Sequence, residues 1–377
     1  MKIAILTLPL HTNYGGILQC YALQTVLECM GHEVFVIEKE FKPARLPLHL
    51  MPFCYGKRIL KNIIGHKCPI LYEQRYNRIQ YAIRENTDRF INTYIRIKRY
   101  KSFSDIKKNE YNAIVVGSDQ VWRPVYFGFD KIENAYLKFA EKWNIKRVSY
   151  AASFGTDKWE YTPKQTYECS RLLNIFDAVS VRENSAVRSC KQYLGVNANQ
   201  VFDPTLLLEK EDYIKLFEVA NTSKSNGNLL CYILDETEEK KNLIQFVANE
   251  KGLKPFNVTA KLYDENAPLY ERIQPPIEQW LRGFHEAEMV ITDSFHGCIF
   301  SILFRKPFII IANVGRGMTR FTSLLKLFNL ESRLVCSWKD FQEHQMDLMT
   351  QIDYSSININ LQTMRKESLS FLKMALS

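Results

Sequence analysis

The sequence predicts an α/β protein built from two Rossmann-like domains that face a common cleft. Over most of the 377 residues, apolar runs of strand length alternate with amphipathic runs of helix length, which is typical of parallel sheets covered by helices. The runs form two series that meet at a proline-bearing segment, residues 201–204. Strand-like runs in both series end in polar or glycine-bearing turns, where α/β proteins bind ligands. We therefore assign residues 1–205 to the first domain and residues 206–377 to the second.

The first domain opens with a βαβ unit: a strand at residues 3–8, a helix at 17–30 and a strand at 32–37. Residues 42–108 lack clean alternation and carry four prolines, so they predict an insertion of one or two basic helices rather than sheet. Further strands of this domain are expected at residues 113–117, 147–152 and 178–181.

The second domain repeats the alternation. The last residues of the chain predict a helix that packs back on the N-terminal domain, and residues 298–304 predict a helix that directly follows a strand. The strands expected here are residues 229–234, 254–258, 289–292 and 307–312.

Composition favours a soluble, cytoplasmic protein without a metal site. Hydrophobic residues make up 46% of the chain and charged residues 24%, the balance of a globular protein. The apolar run at the N-terminus is too short for a signal-peptide core or a membrane span. The nine cysteines form no C-x-x-C pair and have no companion histidines at zinc spacing, so we expect free thiols.

Much of the net charge of +9 comes from the basic insertion, residues 42–108. Such a face suits an anionic partner, and no nucleic-acid reading motif accompanies it, so we do not expect nucleic acid. An anionic substrate fits, and so does a substrate carried on a lipid, which would add a peripheral contact with the inner face of a membrane. A solvated helix surface would give the same pattern.

The most informative segment is Ile-Thr-Asp-Ser-Phe-His-Gly at residues 291–297, where an apolar strand run ends in a polar turn. His296 is a side chain that can exchange a proton near neutral pH, and Gly297 lets a ligand approach the backbone. The helix that follows directs its positive end toward an anion. A buried structural histidine is the alternative interpretation.

The first strand-to-helix turn carries Asn13, Tyr14, Gly15, Gly16 and Gln19. Adjacent glycines allow backbone N–H groups to converge on an anion or a polyol, and the two amide side chains supply neutral hydrogen bonds. The spacing is not that of a dinucleotide-binding motif. A purely structural glycine turn would look the same.

Three further segments carry groups suited to chemistry. Asp119 follows a strand beside Trp122, so its carboxylate can accept a hydroxyl proton while the indole stacks on a sugar, although a helix-capping aspartate fits equally. Arg182 follows the strand at 178–181 and can grip a carboxylate or phosphate, unless Glu183 holds it in a surface ion pair. The segment 315–320 offers two more guanidinium groups on a glycine-containing loop, those of Arg316 and Arg320.

Taken in order, these segments resemble the polysaccharide pyruvyl transferase family over nearly the whole chain. No single block is decisive, but their joint order is specific. The blocks are Asn-Tyr-Gly-Gly at 13–16 with Gln19, Gly-His-Glu-Val at 31–34, Gly-Ser-Asp-Gln-Val-Trp at 117–122, Tyr-Ala-Ala-Ser-Phe-Gly at 150–155, Ser-Val-Arg-Glu at 180–183, Asp-Pro-Thr at 203–205, Thr-Asp-Ser-Phe-His-Gly at 292–297 and Lys-Pro-Phe at 306–308.

The resemblance implies two Rossmann-like domains arranged as in GT-B glycosyltransferases. It implies transfer of pyruvate from phosphoenolpyruvate to a sugar, commonly as a cyclic ketal across two hydroxyls. No cofactor beyond the donor substrate and no metal are implied. The setting would be synthesis of a capsule, exopolysaccharide or cell-wall polymer, with a glycan or a lipid-linked sugar as acceptor.

By resemblance, Arg182 matches an arginine that binds the donor and His296 matches the motif histidine that acts as the acid. Many members carry an arginine at the position of Ser294. Arg316 or Arg320 can substitute for that charge; a changed donor or a lost activity is the alternative interpretation. With Gly297 these residues form the predicted donor site. Position alone suggests that Asp119 orients or deprotonates the acceptor, and the predicted acceptor residues are Asn13, Tyr14, Gly15, Gly16, Gln19 and Trp122.

Two other functions fit the same fold. A glycosyltransferase that uses a sugar nucleotide would need an acidic residue for the ribose in the second domain, and no clear candidate stands there. A non-catalytic member would hold glycans through Trp122 and the many tyrosines without chemistry.

Overall fold

The computed structural model describes residues 1–40, 43–66, 68–313, 315 and 317–377. Its two sheets pair their strands in parallel throughout the described residues, and helices cover them, which confirms the predicted α/β class. Sequence-distant strands lie side by side at the centre of both sheets, as in doubly wound folds.

The N-terminal sheet has seven strands in the order β3-β2-β1-β4-β5-β6-β7. Its central strands are apolar along their whole length because helices bury both faces. The strands are β1 (Lys2–Leu6), β2 (Glu33–Lys39), β3 (Ile97–Tyr100), β4 (Ala113–Val116), β5 (Lys146–Ala152), β6 (Ala178–Val181) and β7 (Asn199–Gln200). The α-helices are α1 (Tyr14–Cys29), α2 (Met51–Ile63), α3 (Tyr72–Tyr94), α4 (Pro124–Phe127), α5 (Pro163–Leu173) and α6 (Asn184–Ser189), which continues into a π-helical turn at Cys190–Leu194.

The C-terminal sheet has five strands in the order β12-β11-β10-β8-β9. The strands are β8 (Leu229–Tyr232), β9 (Pro255–Phe256), β10 (Met289–Thr292), β11 (Phe308–Ile311) and β12 (Leu334–Val335). The helices are α7 (Lys210–Val219), α8 (Glu238–Lys251), α9 (Leu269–Arg272), α10 (Ile277–Glu286), α11 (Phe295–Leu303), α12 (Thr319–Phe328), α13 (Trp338–Leu348) and α14 (Tyr354–Leu376).

Three details of the predicted elements were wrong. The insertion is not free of sheet, because β3 pairs in parallel with the edge of β2; its sequence Ile-Lys-Arg-Tyr is too short and charged to stand out. The helix after β10 begins at Phe295 rather than at residue 298, since the Ser294 side chain accepts a hydrogen bond from the Gly297 N–H and caps it. Arg320 lies in the first turn of α12 rather than on a loop.

One apolar cluster runs through both halves of the molecule and joins them. The Tyr14 ring of α1 packs 5.5 Å from the Trp280 ring of α10, and its hydroxyl donates to the Pro275 carbonyl at 2.7 Å. From the other side, α14 returns to the N-terminal sheet: Phe371 packs against Tyr150 of β5. The two sheets are therefore held with their ligand-binding edges facing one another.

Candidate functional site

A cleft of about 910 Å³ lies between the carboxyl ends of the two sheets. From the N-terminal half it is lined by the turn before α1, including Asn13, and by Asp119, which follows β4. From the C-terminal half come residues 232–236 after β8 and 293–296 after β10, together with Arg320. Ligands of α/β proteins bind at this edge, so the sequence prediction of strand-end turns as the site agrees with the geometry.

The floor of the cleft is a buried chain of alternating charges. Arg320 Nη1 lies 3.8 Å from Asp119 Oδ1, and Asp119 Oδ1 accepts a hydrogen bond from Arg182 Nη2 at 3.2 Å. Arg182 Nη1 donates to Asp203 Oδ2 at 2.6 Å. The same Asp203 oxygen lies 3.7 Å from His296 Nε2, so the chain crosses from one half of the molecule to the other.

Burial and neighbouring charges act in opposite directions on the pKa values of the two aspartates in this chain. Burial raises the pKa of Asp203, but His296 and Arg182 more than compensate and hold it well below its usual range. Asp119 behaves likewise: burial is outweighed by Arg182, His296 and Arg320, and its pKa is lowered. Burial and the nearby Arg182 lower the pKa of Arg320 to about 10, so this guanidinium stays charged at neutral pH.

The structure separates the roles of the two arginines. Arg182 is 5% exposed, does not line the cleft and pairs with three carboxylates, those of Asp119, Asp203 and Glu183, so the predicted direct contact with a donor is not supported by its position. Arg320 does line the cleft. Both guanidinium groups lie over the Phe295 ring, with Cζ 4.5 Å from the centroid for Arg182 and 5.2 Å for Arg320. Arg316, the other predicted substitute for the missing family arginine, lies outside the described residues.

His296 stands in the first turn of α11 and lines the cleft, close against Gly15 of α1. A Cβ added at Gly15 would lie 2.6 Å from His296 Cε1 and nearer still to Nδ1 and Cγ. Gly15 was predicted to bind the acceptor; its position shows instead that the missing side chain makes room for the histidine ring. Gly297 has a similar explanation, because a Cβ there would lie 2.9 Å from Thr292 Cβ, so it permits close packing of α11 on β10.

Ser294 occupies the cleft wall, but its hydroxyl is the cap of α11. The preceding residue, Asp293, accepts hydrogen bonds from three different segments, a role that the sequence did not reveal. Its fully buried carboxylate accepts from Lys240 Nζ at 2.6 Å and from the Leu234 N–H at 2.7 Å, and Asn313 Nδ2 donates to it at 3.1 Å. Asp293 therefore fixes the cleft-lining loop after β8 to the start of α11.

Several predicted acceptor residues lie away from the cleft surface. Trp122 is 0% exposed, stacks on Tyr136 with centroids 5.0 Å apart and donates its indole N–H to the Ala135 carbonyl, so it is a core residue and not a sugar platform. Tyr14 is buried in the domain interface. Gln19 is buried as well, where its amide bonds Thr7 and the Ser118 N–H. Gly16 does not line the cleft, whereas Asn13 does and also caps α1.

Asp203 is the central residue whose role sequence reasoning missed. Its block, Asp-Pro-Thr at residues 203–205, carried part of the family resemblance but suggested no chemistry. In the structure the Asp203 side chain also accepts from the Thr205 hydroxyl at 2.7 Å, which fixes the carboxylate between Arg182 and His296. The Asp-Pro-Thr block was therefore the sequence feature that could have pointed to Asp203, although it had no assigned function.

The described residues contain no group of three or more His, Cys, Asp or Glu side chains arranged to hold a metal ion. Within the same residues, no helix has the length and apolar character needed to cross a membrane.

Comparison with known proteins places the chain in a family. A family model described as polysaccharide pyruvyl transferase matches residues 13–314, most of the chain, and confirms the predicted resemblance. No curated protein sequence gives a significant match.

Solved structures of similar fold include a glycosyltransferase from Rickettsia africae, with a TM-score of 0.53, 12% identity and coverage of 100% of this chain and 99% of that one. A UDP-GlcNAc 2-epimerase from Neisseria meningitidis, solved with UDP-GlcNAc, gives a TM-score of 0.50 at 8% identity, again covering 100% and 99%. At such identities the likeness concerns the fold alone, and it agrees with the predicted pair of Rossmann-like domains in a GT-B arrangement. By the extent of the family match, the chain belongs to the polysaccharide pyruvyl transferase family and is accordingly a transferase.

Proposed function

We propose that the protein transfers pyruvate from phosphoenolpyruvate to hydroxyls of a glycan or lipid-linked sugar, forming a ketal during synthesis of a capsule, exopolysaccharide or cell-wall polymer. The observation that carries the proposal is the convergence of Arg320 and His296 on the cleft, each close to a buried carboxylate, Asp119 at 3.8 Å from Arg320 and Asp203 at 3.7 Å from His296. Arg320 provides a cation for the anionic groups of phosphoenolpyruvate, and His296 provides an acid that can protonate its methylene carbon. The donor is a cytoplasmic metabolite, so we place the reaction in the cytoplasm.

The donor needs positive charge for its carboxylate and phosphate. Arg320 supplies a planar fork that suits either group, and it stands at the start of α12. The N-terminus of α11 adds the partial positive charge of a nine-residue helix. Arg320 thus supplies the charge that many other family members supply with an arginine at the position of Ser294. Arg182 acts as a positioning residue that holds Asp119 and Asp203.

In the proposed reaction, His296 gives a proton to the methylene carbon of the donor, and positive charge develops at the carbon that bears the phosphate. Asp203, 3.7 Å from Nε2, orients the ring and attracts it when it is charged. A sugar hydroxyl then adds to the cationic carbon while Asp119 orients it or takes its proton. The carbon–oxygen bond to phosphate breaks, a second hydroxyl closes the ketal, and phosphate leaves with the second proton.

The acceptor has room on the opposite wall of the cleft. Two tyrosines there, Tyr263 and Tyr270, are exposed and offer ring faces on which sugars stack, in place of the buried Trp122. Glu236 and Asp264 also line the cleft and can accept hydrogen bonds from sugar hydroxyls, whereas Glu271 is paired with Lys261 at 2.7 Å.

The proposal is tested by incubating the protein with carbon-labelled phosphoenolpyruvate and candidate oligosaccharides, then measuring label on the glycan and phosphate released. Arg320→Gln should reduce transfer by roughly 100-fold or more, since it removes a charge aimed at the reacting group. Lys326→Gln is the matched control, because it removes an exposed cation from the same helix α12 and should leave transfer unchanged.

His296→Gln should abolish transfer while retaining donor binding. Equal transfer by wild type and Arg320→Gln would contradict the proposed donor site. Transfer of a sugar from a nucleotide sugar, with no pyruvyl transfer, would show a glycosyltransferase, and acceptor binding without either reaction would show a glycan-binding protein.

A further inference from the structure

The outer face of α2 is unusual because it is both apolar and uncovered. None of the 13 residues of this helix is buried, although seven of them are hydrophobic in type. Phe53 is 72% exposed, Ile63 is 75% exposed, and Leu60 and Ile64 are exposed to a similar degree. Soluble proteins rarely expose large apolar side chains in such a contiguous set, so the face indicates a binding surface.

The spacing of these residues makes an ordered stripe with charges along one side. Phe53, Leu60 and Ile64 are seven and four residues apart, so they lie on one face of the helix. Lys57 lies on the same face, four residues after Phe53, and Lys61 lies at its edge; their long side chains can reach past an apolar surface to anionic groups. An amphipathic helix with lysines flanking its apolar face is typical of a helix that lies in a membrane interface.

The charge around the helix has a single sign. Residues 41–72 contain no aspartate or glutamate. Arg58 is turned inward and pairs with Glu73 at 2.6 Å, which ties α2 to α3, while Lys57, Lys61, Arg75 and Arg78 remain exposed. A second copy of the chain is a poor occupant, because a symmetric interface would bring the same lysines together. An anionic lipid surface complements both the apolar stripe and the cations.

The surface is also connected to the cleft by a rigid element. Tyr72, which opens α3, lies beside Arg58 of α2. Farther along α3, the Ile83 carbonyl accepts the Gln274 N–H at 3.0 Å and Asn86 donates to the Gln274 carbonyl at 2.9 Å, and Gln274 lines the cleft. Eleven residues of helix separate Tyr72 from Ile83, a distance of about 16 Å.

We infer that α2 is a membrane-docking helix that inserts Phe53, Leu60, Ile63 and Ile64 into an anionic bilayer surface and sets the cleft near that surface. The inference rests on this surface and not on the proposed reaction. A vesicle-binding experiment without donor or acceptor therefore tests it separately.

The test is cosedimentation of the full chain with vesicles of phosphatidylcholine alone and of phosphatidylcholine mixed with phosphatidylglycerol. Wild type should bind the anionic vesicles and bind neutral ones much more weakly. Phe53→Ser with Leu60→Ser should weaken binding at least about tenfold through lost apolar burial. Lys57→Glu with Lys61→Glu should weaken it by roughly 25-fold or more, and added salt should mimic that loss.

The control is Met346→Ser with Ile359→Ser, which removes side chains that are 79% and 68% exposed on other helices and should bind vesicles as wild type does. Thermal unfolding of every variant checks that each is folded. Equal binding of wild type to both vesicle types, or binding unchanged by both α2 pairs, would overturn the inference. So would a dimer in solution that Phe53→Ser with Leu60→Ser dissociates, because a second copy would then cover the face.

Discussion

Replacing Gly15 by alanine tests the contact that places His296 in the site. The new Cβ would lie 2.6 Å from His296 Cε1, and ordinary contact begins near 3.4 Å, so the ring must retreat by at least 0.8 Å. The imidazole has little room to do so, because it is 6% exposed at the start of a buried helix. A displacement of about 1 Å in a catalytic group can cost roughly 100-fold in rate.

Gly16→Ala provides the matched control in the same helix turn. A Cβ at Gly16 meets nothing nearer than Asn13 at 3.5 Å, an ordinary contact. Both changes reduce the freedom of the unfolded chain in the same way, so that effect cancels in the comparison. The difference in free energy of unfolding between the two variants then reports the clash alone, and we expect Gly15→Ala to be less stable by about 1–3 kcal/mol.

The assay has two parts: denaturant unfolding of both variants, and pyruvyl transfer from labelled phosphoenolpyruvate. We expect Gly16→Ala to match wild type in both, and Gly15→Ala to be destabilised and to lose transfer by roughly 100-fold. Equal stability and equal transfer for the two variants would refute the argument that the ring of His296 rests against Gly15.

Two further predictions concern buried charges. Asp203→Asn should lower the free energy of unfolding by about 3–5 kcal/mol at neutral pH, because Arg182 loses a buried partner. The pKa of Asp203 is lower in the folded protein than in the unfolded chain, where it is about 3.9. The stability that the ionised carboxylate contributes is therefore complete above this unfolded value and is lost as pH falls through the folded value. The difference in melting temperature between wild type and variant should narrow below pH ~4. Lys240→Met should cost about 3 kcal/mol by leaving the buried Asp293 carboxylate without its cation, whereas Lys241→Met, in an exposed pair, should change little. Chemical denaturation measures both, and equal loss in the two lysine variants would contradict the role given to Asp293.

The fold was predictable because the strongest sequence signals are local. β4 and the part of β1 after Lys2 are unbroken apolar runs, as is typical of strands buried on both faces. The edge strand β3 was missed because its four residues are half charged and its pairing with β2 depends on a distant segment. Strand-end turns located the cleft correctly, since parallel strands bring their carboxyl ends to one edge.

The chemistry of the site was harder to read because pairing is a long-range property. Nothing local shows that Arg182 donates hydrogen bonds to Asp119 and Asp203 besides pairing with its neighbour Glu183, or that Tyr136 covers Trp122. An aromatic residue after a strand looks the same in sequence whether it faces a ligand or the core. The sequence limited the proposed substitutes for the arginine absent at Ser294 to Arg316 and Arg320, because only these two arginines follow the last predicted strand at close range.

The most direct test of the central claim is a thermal-shift titration of wild type and Arg320→Gln with phosphoenolpyruvate, UDP-sugars and GDP-sugars. A ligand that binds the folded state raises the melting temperature, and the rise grows with the logarithm of ligand concentration above its Kd. We predict a shift of wild type with phosphoenolpyruvate alone, and its loss in Arg320→Gln. A shift of wild type with a nucleotide sugar and none with phosphoenolpyruvate would contradict the proposed donor.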